Sequence, residues 1–460
     1  MKNSAIAELS ATATAAAAAL APWEGAPKPP EPEHRMTDLQ RGKAAVEDLL
    51  QQISARFAGD GTLHYGAPRS RQLDDAIQVT IPEIIIRSSR GHVFELGEVS
   101  ANIRRLDERF DAMTLALPGE VLFRNAAGPL GRLTIARRLA RLRWDRQLET
   151  STEFEFRLAE LVFRDAGGDE MGRIGEILAL ADVTEAQGSW RGAVCISLSK
   201  LTMTDGQQSH IRLDGATLAL DVQGLDLPAC FATMAPLKTL LTMAGGLGLR
   251  ASIEGLEMQT PAQGDLRLAN ADYRLDLSSP DGEVLNLALT IRHAGLRGTG
   301  KATLPEDLEF VLSLENLPNK TLANLAVAAV ETVLLGQVHN GAKLFNRLRR
   351  EFGAAKTVLR LKHADLAAPD YRIDMAVTLL ADAAAKAGFA GGGDLRISGL
   401  PKLLSALGIQ DLPALAALAG KGQAHDGGGL SFALAVRPDG QLAVNGEPVL
   451  SLAPSQDGAN

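Results

Sequence analysis

Aromatic side chains are scarce in this sequence. They make up 4% of the 460 residues, with three tryptophans and three tyrosines among them. A hydrophobic core must therefore be built from Leu, Ala, Val and Ile, which are plentiful because 46% of the residues are hydrophobic. Such a core offers few phenol or indole groups with which to orient a polar ligand.

An excess of basic charge and long apolar runs are also missing. The net charge is -8, which argues against a nucleic-acid partner because a general nucleic-acid binder needs a basic surface. No window reaches 18 uninterrupted apolar residues, and the best candidate, 322–338, is broken by Glu331. We therefore expect no transmembrane helix.

Cysteine occurs only twice, at Cys195 and Cys230. No C-x-x-C pair is present, so neither a zinc knuckle nor a dense disulfide framework is expected. A disulfide would have to join a strand residue to the start of a helix, and it needs Cα atoms within about 7 Å and an oxidising compartment. We expect two free thiols and keep the disulfide as the alternative.

Catalytic motifs are absent as well. The sequence contains no G-x-S-x-G elbow and no Walker-type phosphate loop, and no two of its eight histidines lie within five residues. We expect no catalytic residue, no metal site and no cofactor. The glycines Gly391, Gly392 and Gly393 predict a flexible connector between an Ala-rich helix and a strand.

The composition changes along the chain and predicts four parts. Residues 1–35 are rich in Ala and Pro, and the pattern allows a secretion signal or its remnant followed by a linker. Residues 36–223 are expected to form a helix, at 36–57, and an N-terminal antiparallel sheet. Residues 224–454 are expected to form strand–helix repeats that end in a C-terminal hairpin, and 455–460 a tail.

Most of the chain between 61 and 454 alternates apolar and polar residues with a period of two. Phe154, Phe156 and Leu158, for example, alternate with charged neighbours. This pattern is typical of antiparallel strands with one buried face. We expect three helices to interrupt this pattern, after Pro228, Pro318 and Pro401, because proline is preorganised for the first turn of a helix. The predicted fold class is mostly β with helices, of the α+β type.

Residues 132–146, RLTIARRLARLRWDR, carry six arginines. If this segment is a strand, Arg141 and Arg143 lie on one face, and Leu142 and Trp144 lie on the other. Two interpretations stay open: the guanidinium groups bind the phosphates of a lipid head group or an acidic partner, or they pair across strands with the acidic segment EFEFRLAE. The second is favoured because exposed rows of charge are usually structural.

Four stretches resemble the AsmA-like envelope proteins, and within that group an uncharacterised periplasmic family of alphaproteobacteria. They are 48–86, DLLQQISARF to IPEIII; 131–165, GRLTIARR to LVFRD; the recurring strand–Leu-Pro–helix unit; and the terminal hairpin FALAVRPDGQLAVNGEPVLSLA. The resemblance implies an elongated, curved antiparallel sheet with helices packed against it. It also implies a role in outer-membrane assembly and lipid handling.

The resulting hypothesis is a non-enzymatic protein of the periplasm or envelope that binds lipid in an apolar groove of its sheet. A structural or interaction scaffold without a ligand is the alternative, and an enzyme with a dispersed site is the last one; a cytoplasmic location is the alternative compartment. Lipid or other envelope proteins are the expected partners, and the oligomeric state is left open. Candidate head-group contacts are Arg138, Arg141 and Arg143, and candidate apolar lining residues are Trp144, Phe154, Phe156 and Trp190.

Overall fold

A computed structural model provides the three-dimensional description. It describes residues 61–147, 150–186, 188–204, 209–225, 245–260, 264–279, 282–299, 305–321, 341–406, 420–425 and 429–452, with scattered positions between 42 and 54. The predicted N-terminal segment 1–35, the tail 455–460 and the predicted helix after Pro228 lie outside the described residues.

The structure is very β-rich, as the alternation of apolar and polar residues along the sequence predicts. Strands take up 73% and helices 8% of the described residues, and the 23 strands belong to one antiparallel sheet. The expected antiparallel sheet is confirmed, whereas the α+β class is corrected to a β-rich one. The physical reason is that the alternating segments are long and numerous and make up most of the described residues.

The described residues between 61 and 260 form twelve strands. Their bounds are β1 Gly61–His64, β2 Arg69–Gln72, β3 Ile77–Ser88, β4 Val93–Arg105, β5 Phe110–Ala116, β6 Glu120–Asn125, β7 Gly128–Asp145, β8 Thr150–Asp165, β9 Glu170–Ala186, β10 Ser189–Thr204, β11 His210–Leu225 and β12 Gly245–Thr260.

The second half adds eleven strands and two described helices. Their bounds are β13 Gly264–Ser279, β14 Val284–Ala294, β15 Arg297–Gly298, β16 Asp307–Pro318, α1 Gly341–Ala355, β17 Val358–Ala368, β18 Tyr371–Ala381, β19 Phe389–Ser398, α2 Leu400–Ala406, β20 Gln423–His425, β21 Gly429–Val436, β22 Gln441–Val444 and β23 Glu447–Ser451. No described helix has both the length and the apolar character needed to cross a membrane.

The chain divides into two compact units. The first comprises Met1–Thr184, Gly192–Thr217 and Gln259–Pro261, and the second comprises Glu185–Arg191, Leu218–Met258 and Ala262–Asn460.

The core of the first unit forms between a helical segment and β3, β4 and β5. Val46 and Leu50 are helical and buried, and they belong to one cluster with Val79, Ile103 and Met113. The predicted helix at 36–57 is thus confirmed at its described positions. An amphipathic helix buries its apolar stripe against a sheet in this way because neither element can bury its apolar side alone.

The core of the second unit lies where α2 meets β18, β19 and β21. Leu403 packs with Tyr371, Ile397 and Phe432, and Phe432 is 1% exposed. The helix expected after Pro401 is confirmed, because α2 includes that proline in its first turn. The hairpin expected around Asp439 and Gly440 is also confirmed, since it joins β21 to β22.

The three glycines at 391–393 do not form the predicted flexible connector. They lie inside β19 and pair with both β18 and β21, and no helix precedes them in the described segment 382–388. The prediction failed because glycine is also used in strands where another backbone approaches closely. At Gly391 and Gly393 a Cβ atom would lie 2.2 Å and 2.0 Å from carbonyl oxygens of β18.

Candidate functional site

Arg141 and Arg143 of β7 are engaged by carboxylates of the neighbouring strand. In the β7–β8 register Arg141 lies opposite Glu155, and Arg143 lies opposite Glu153. The Nε of Arg141 donates to Glu155 at 2.7 Å, and Nη1 of Arg143 donates to Glu153 at 2.9 Å. The predicted cross-strand pairing is therefore confirmed, and it occupies the guanidinium groups that the alternative interpretation assigned to an anion.

Arg143 has a second partner on the same side of the sheet. Its guanidinium carbon lies 3.9 Å from the centroid of the Phe110 ring, within the range of a cation–π contact. At the end of β7 the fully buried carboxylate of Asp145 accepts a 2.6 Å hydrogen bond from Arg109. This side of β7 and β8 is consequently a network of ion pairs.

The opposite side of the same strands is apolar. Leu142 lies opposite Phe154, and Ala140 lies opposite Phe156. The register of β8 with β9 continues these rows to Ala181 and Ala179. We call this surface the first-unit apolar face, and its members are Ala140, Leu142, Trp144, Phe154, Phe156, Leu158, Ile177, Ala179 and Ala181.

The sequence-predicted lining residues occupy different positions relative to this face. Trp144 and Leu142 are half-buried and pack against the cluster that contains the N-terminal helical segment. Phe154 and Phe156 are also half-buried, although neither belongs to a described core cluster. Trp190 belongs to the second unit and is 5% exposed, so its ring does not form an open surface.

Arg138 lies on the apolar side rather than with Arg141 and Arg143. It lies opposite Leu158, which is the next pair on this side of the sheet after Ala140 and Phe156, and its side chain is exposed. The predicted row of three head-group contacts is therefore divided between the two faces of the sheet. The reason is the period of two along a strand, which places residues 138 and 141 on opposite sides.

The second unit also carries an apolar surface, on β14, β16, β17 and β18. Registers place Leu289, Leu312, Leu361 and Val377 in one row across the four strands. The adjacent row contains Ile291, Phe310, Ala364 and Met375. We call these two rows, together with Leu359, the second-unit apolar face.

This second surface is only partly covered. Leu361 and Ala364 are buried, whereas the other members, Leu289, Ile291, Phe310, Leu312, Leu359, Met375 and Val377, stay half-buried. Phe352 of α1 contacts Phe389 at one end of β19, and Leu403 of α2 packs near Ile397 at the other end. The two described helices therefore cover the ends of this side of the sheet.

Ion pairs again occupy the opposite side. Arg292 of β14 contacts Glu309 of β16 at 2.7 Å, and Arg360 of β17 contacts Glu315 at 2.8 Å. Further along, Arg372 donates to Asp365, and this hydrogen bond raises the pKa of the Arg372 guanidinium above its ordinary value. Both units thus have one ion-paired and one apolar side.

Sequence reasoning identified the strands of the second-unit apolar face but missed the surface. Each strand shows the alternating pattern, yet the pattern does not state which strands are neighbours or in what register. The available signal was the run of consecutive leucine-rich strands between 285 and 380, because strands that follow one another in sequence are commonly adjacent in space.

A search for other chemistry finds little in the described residues. They hold no group of three or more His, Cys, Asp and Glu side chains arranged to bind a metal ion. His363 lies 3.6 Å from Asp374, on the ion-paired side of β17 and β18. Cys195 in β10 carries a free, half-buried thiol, and Cys230 lies outside the described residues.

The chain matches no family model, no curated protein and no solved structure.

Proposed function

We propose that this protein is a non-enzymatic component of the bacterial cell envelope that holds acyl chains against the apolar faces of its sheet. The observation that carries the proposal is the second-unit apolar face. Its large side chains come from four adjacent strands and, apart from the buried Leu361, stay half-buried, while ion pairs occupy the other side of the same strands.

The physical argument starts from the cost of leaving apolar area in water. Each Å² of apolar surface removed from water contributes about 25 cal/mol, so a row of half-buried Leu, Ile, Phe and Met side chains favours an apolar cover. Contiguous apolar surface of this kind is typical of binding sites. An acyl chain suits it because the face offers few polar groups to select a polar ligand.

The resemblance to AsmA-like proteins supports the same proposal and adds the periplasm as its compartment. Under this proposal the sheet is elongated and curved, with its helices packed on the apolar side. The Ala- and Pro-rich segment 1–35 is consistent with export to that compartment.

The first test is extraction of the full-length purified protein with organic solvent, followed by mass spectrometry of the extract. We expect lipid with acyl chains at a fixed ratio to protein. Delipidated protein should then bind a fluorescent acyl-chain probe and release it to unlabelled lipid. Protein that carries no lipid and takes up no probe would contradict the proposal.

Two adjacent residues of β16 provide a matched pair of variants. Leu312 belongs to the second-unit apolar face, and Val311 points to the other side of the strand; both are half-buried. Leu312→Gln should weaken binding of the probe about tenfold, since burying a leucine side chain is worth roughly 1.5–3 kcal/mol. Val311→Gln should leave probe affinity unchanged.

A second candidate function, a scaffold that adds a strand from a partner, rests on β23. Among the described strands β23 pairs only with β22, and all five of its residues are exposed, with Leu450 at 57%. An exposed edge can accept another strand, although Pro448 lacks the N–H needed for a full ladder. Sedimentation of the wild type and of Leu450→Lys tests self-association through this edge; identical monomeric behaviour would count against it.

A further inference from the structure

One of the six arginines in residues 132–146 differs from the other five in its ion pairing. Five of them pair with carboxylates, at distances up to 3.5 Å: Arg132 with Glu120, Arg137 with Glu160, Arg141 with Glu155, Arg143 with Glu153 and Arg146 with Asp111. Arg138 makes no ion pair within the part of the chain that the structure describes. It is therefore the one arginine of this segment whose charge is available to an external anion.

The position of Arg138 is equally distinctive. It lies opposite Leu158 on the apolar side of β7 and β8, where its neighbours in the next row are Ala140 and Phe156. Its guanidinium extends over Gly119, between β5 and β6. A Cβ atom at residue 119 would come within 2.2 Å of Nη1, so the missing side chain leaves room for this orientation.

A guanidinium beside an apolar surface has a defined chemical preference. Its planar fork of N–H donors matches a carboxylate in a bidentate arrangement. The contact strengthens where apolar neighbours reduce access of water. A single unpaired guanidinium also balances a single negative charge, which favours a carboxylate over the dianion of a phosphate monoester.

The dimensions of the face suit an acyl chain that starts at this charge. From Arg138 to Trp144 the strand advances six residues, or roughly 20 Å at about 3.3 Å per residue, and the far end of this stretch, at Leu142 and Trp144, packs against the first-unit core. Leu158, Phe156 and Phe154 follow the same direction on β8 and stay half-buried. The cation therefore stands at one end of an apolar strip of the length of a long-chain fatty acid.

We infer that the first-unit apolar face binds a long-chain fatty acid, with Arg138 as the contact for its carboxylate. The inference rests on the proposed function and adds to it the class of ligand, the position of its head group and the direction of its chain.

Calorimetric titration of the delipidated full-length protein tests this assignment. The probes are palmitate, monopalmitoyl glycerol, which has the same chain and no charge, and lysophosphatidate, which has a phosphate head group. The variant is Arg138→Gln. The matched control is Arg137→Gln, because Arg137 is adjacent on the same strand, is also exposed and is paired with Glu160.

Arg138→Gln should lower the affinity for palmitate at least about tenfold, because it removes a charge-assisted hydrogen bond to the carboxylate. Its affinity for monopalmitoyl glycerol should be unchanged, and Arg137→Gln should change neither. Circular dichroism of each variant shows whether the sheet is intact, and the neutral probe serves as a second check because it needs a folded face.

Different failures are distinguishable. Equal losses for palmitate in both variants, or for both probes in Arg138→Gln, would overturn the role of Arg138 while leaving acyl-chain binding in place. A loss for lysophosphatidate that exceeds the loss for palmitate would replace the fatty acid by a phosphate lipid. A wild-type protein that binds none of the probes would overturn both this inference and the proposed function.

Discussion

At the scale of single residues, charge is used to decide which side of the sheet faces water. Arg141 with Glu155 and Arg292 with Glu309 join neighbouring strands and leave their arginines more than half exposed. Exposed pairs of this kind contribute about 0–1 kcal/mol each. Their larger effect is on orientation, because turning such a strand over would bury its charges.

Phe432 is the largest fully buried side chain among the described residues. It is 1% exposed and belongs to the cluster of Ile397 and Leu403. Its ring lies 3.0 Å from the point that a Cβ atom at Gly422 would occupy. Phe432→Ala should lower the free energy of unfolding of this unit by about 3–5 kcal/mol, since the side chain leaves a cavity.

Urea denaturation measures this change, and Phe432→Leu provides a milder variant if the alanine variant fails to fold. Leu380→Ala is the control, because Leu380 is 48% exposed and its removal should cost less than about 0.5 kcal/mol. Similar midpoints for Phe432→Ala and Leu380→Ala would show that the cluster is not the stabilising core.

Glu351 of α1 predicts a dependence of stability on pH. The hydroxyl of Thr321 and then the guanidinium of Arg347 lower the pKa of the Glu351 carboxyl below its ordinary value of 4.5. A depressed pKa in the folded state stabilises the protein above the ordinary pKa. That contribution is lost as the pH falls through the depressed value.

Stability curves between pH 6 and pH 3 test this expectation. The wild type should lose stability more steeply than Glu351→Gln across this window, because the variant has no carboxylate to protonate. Parallel curves for the two proteins would mean that the contact of α1 with Thr321 does not contribute.

At the scale of elements, the pairing of β19 with β18 depends on glycine. Gly391 and Gly393 lie opposite Leu379 and Val377 of β18. Carbonyl oxygens of β18 occupy the space that the Cβ atoms of these two residues would need. Strand pairing at this point therefore requires the absence of Cβ atoms.

Gly393→Ala should consequently destabilise the second unit by about 1–3 kcal/mol, the range typical of overpacking. Its Cβ atom would lie 2.0 Å from the carbonyl oxygen of Ala376. Gly248→Ala is a matched control in β12, because the nearest neighbour of its Cβ atom is at 3.4 Å, an ordinary contact. Thermal unfolding compares the two, and equal midpoints would contradict the close approach of β18 and β19.

At the scale of the whole molecule, a ligand that binds only the folded sheet must raise its stability. At a free concentration one hundred times its dissociation constant, an acyl-chain ligand should add about 2.7 kcal/mol to the free energy of unfolding. The shift of the urea midpoint with monopalmitoyl glycerol measures this gain. Butyrate, which has a carboxylate without a long chain, should produce no shift, and a midpoint that is independent of both compounds would argue against acyl-chain binding.

Local pattern determined much of the architecture. Alternation at Phe154, Phe156 and Leu158 predicted a strand, and the turn around Asp439 and Gly440 predicted the hairpin, because these signals depend on neighbours in sequence. The pairing of Arg141 and Arg143 with Glu155 and Glu153 was also accessible, since a short turn separates the two segments. The same local pattern failed at Gly391–Gly393, where the requirement comes from another strand.

Interruptions within strands were not accessible from the sequence. Glu83, Glu160 and Lys200 adopt positive φ values of 55°, 56° and 54° inside β3, β8 and β10. Side chains with a Cβ atom seldom take this conformation, so their residue types give no warning of it. In β8 the buried residues Ala159 and Leu161 flank Glu160, whereas Phe156 and Leu158 before them are half-buried.

The sequence by itself determined that this chain is an antiparallel β protein with charged and apolar sides, because the period of two is a local property of each strand. Only the tertiary structure decided what those sides form. Strand order and register bring Leu312, Leu361 and Val377 into one row, and they place Arg138 apart from Arg141 and beside Phe156. Register is set by contacts between residues distant in sequence, and a one-residue slip reverses every side chain, so the apolar faces exist only once the strands have paired.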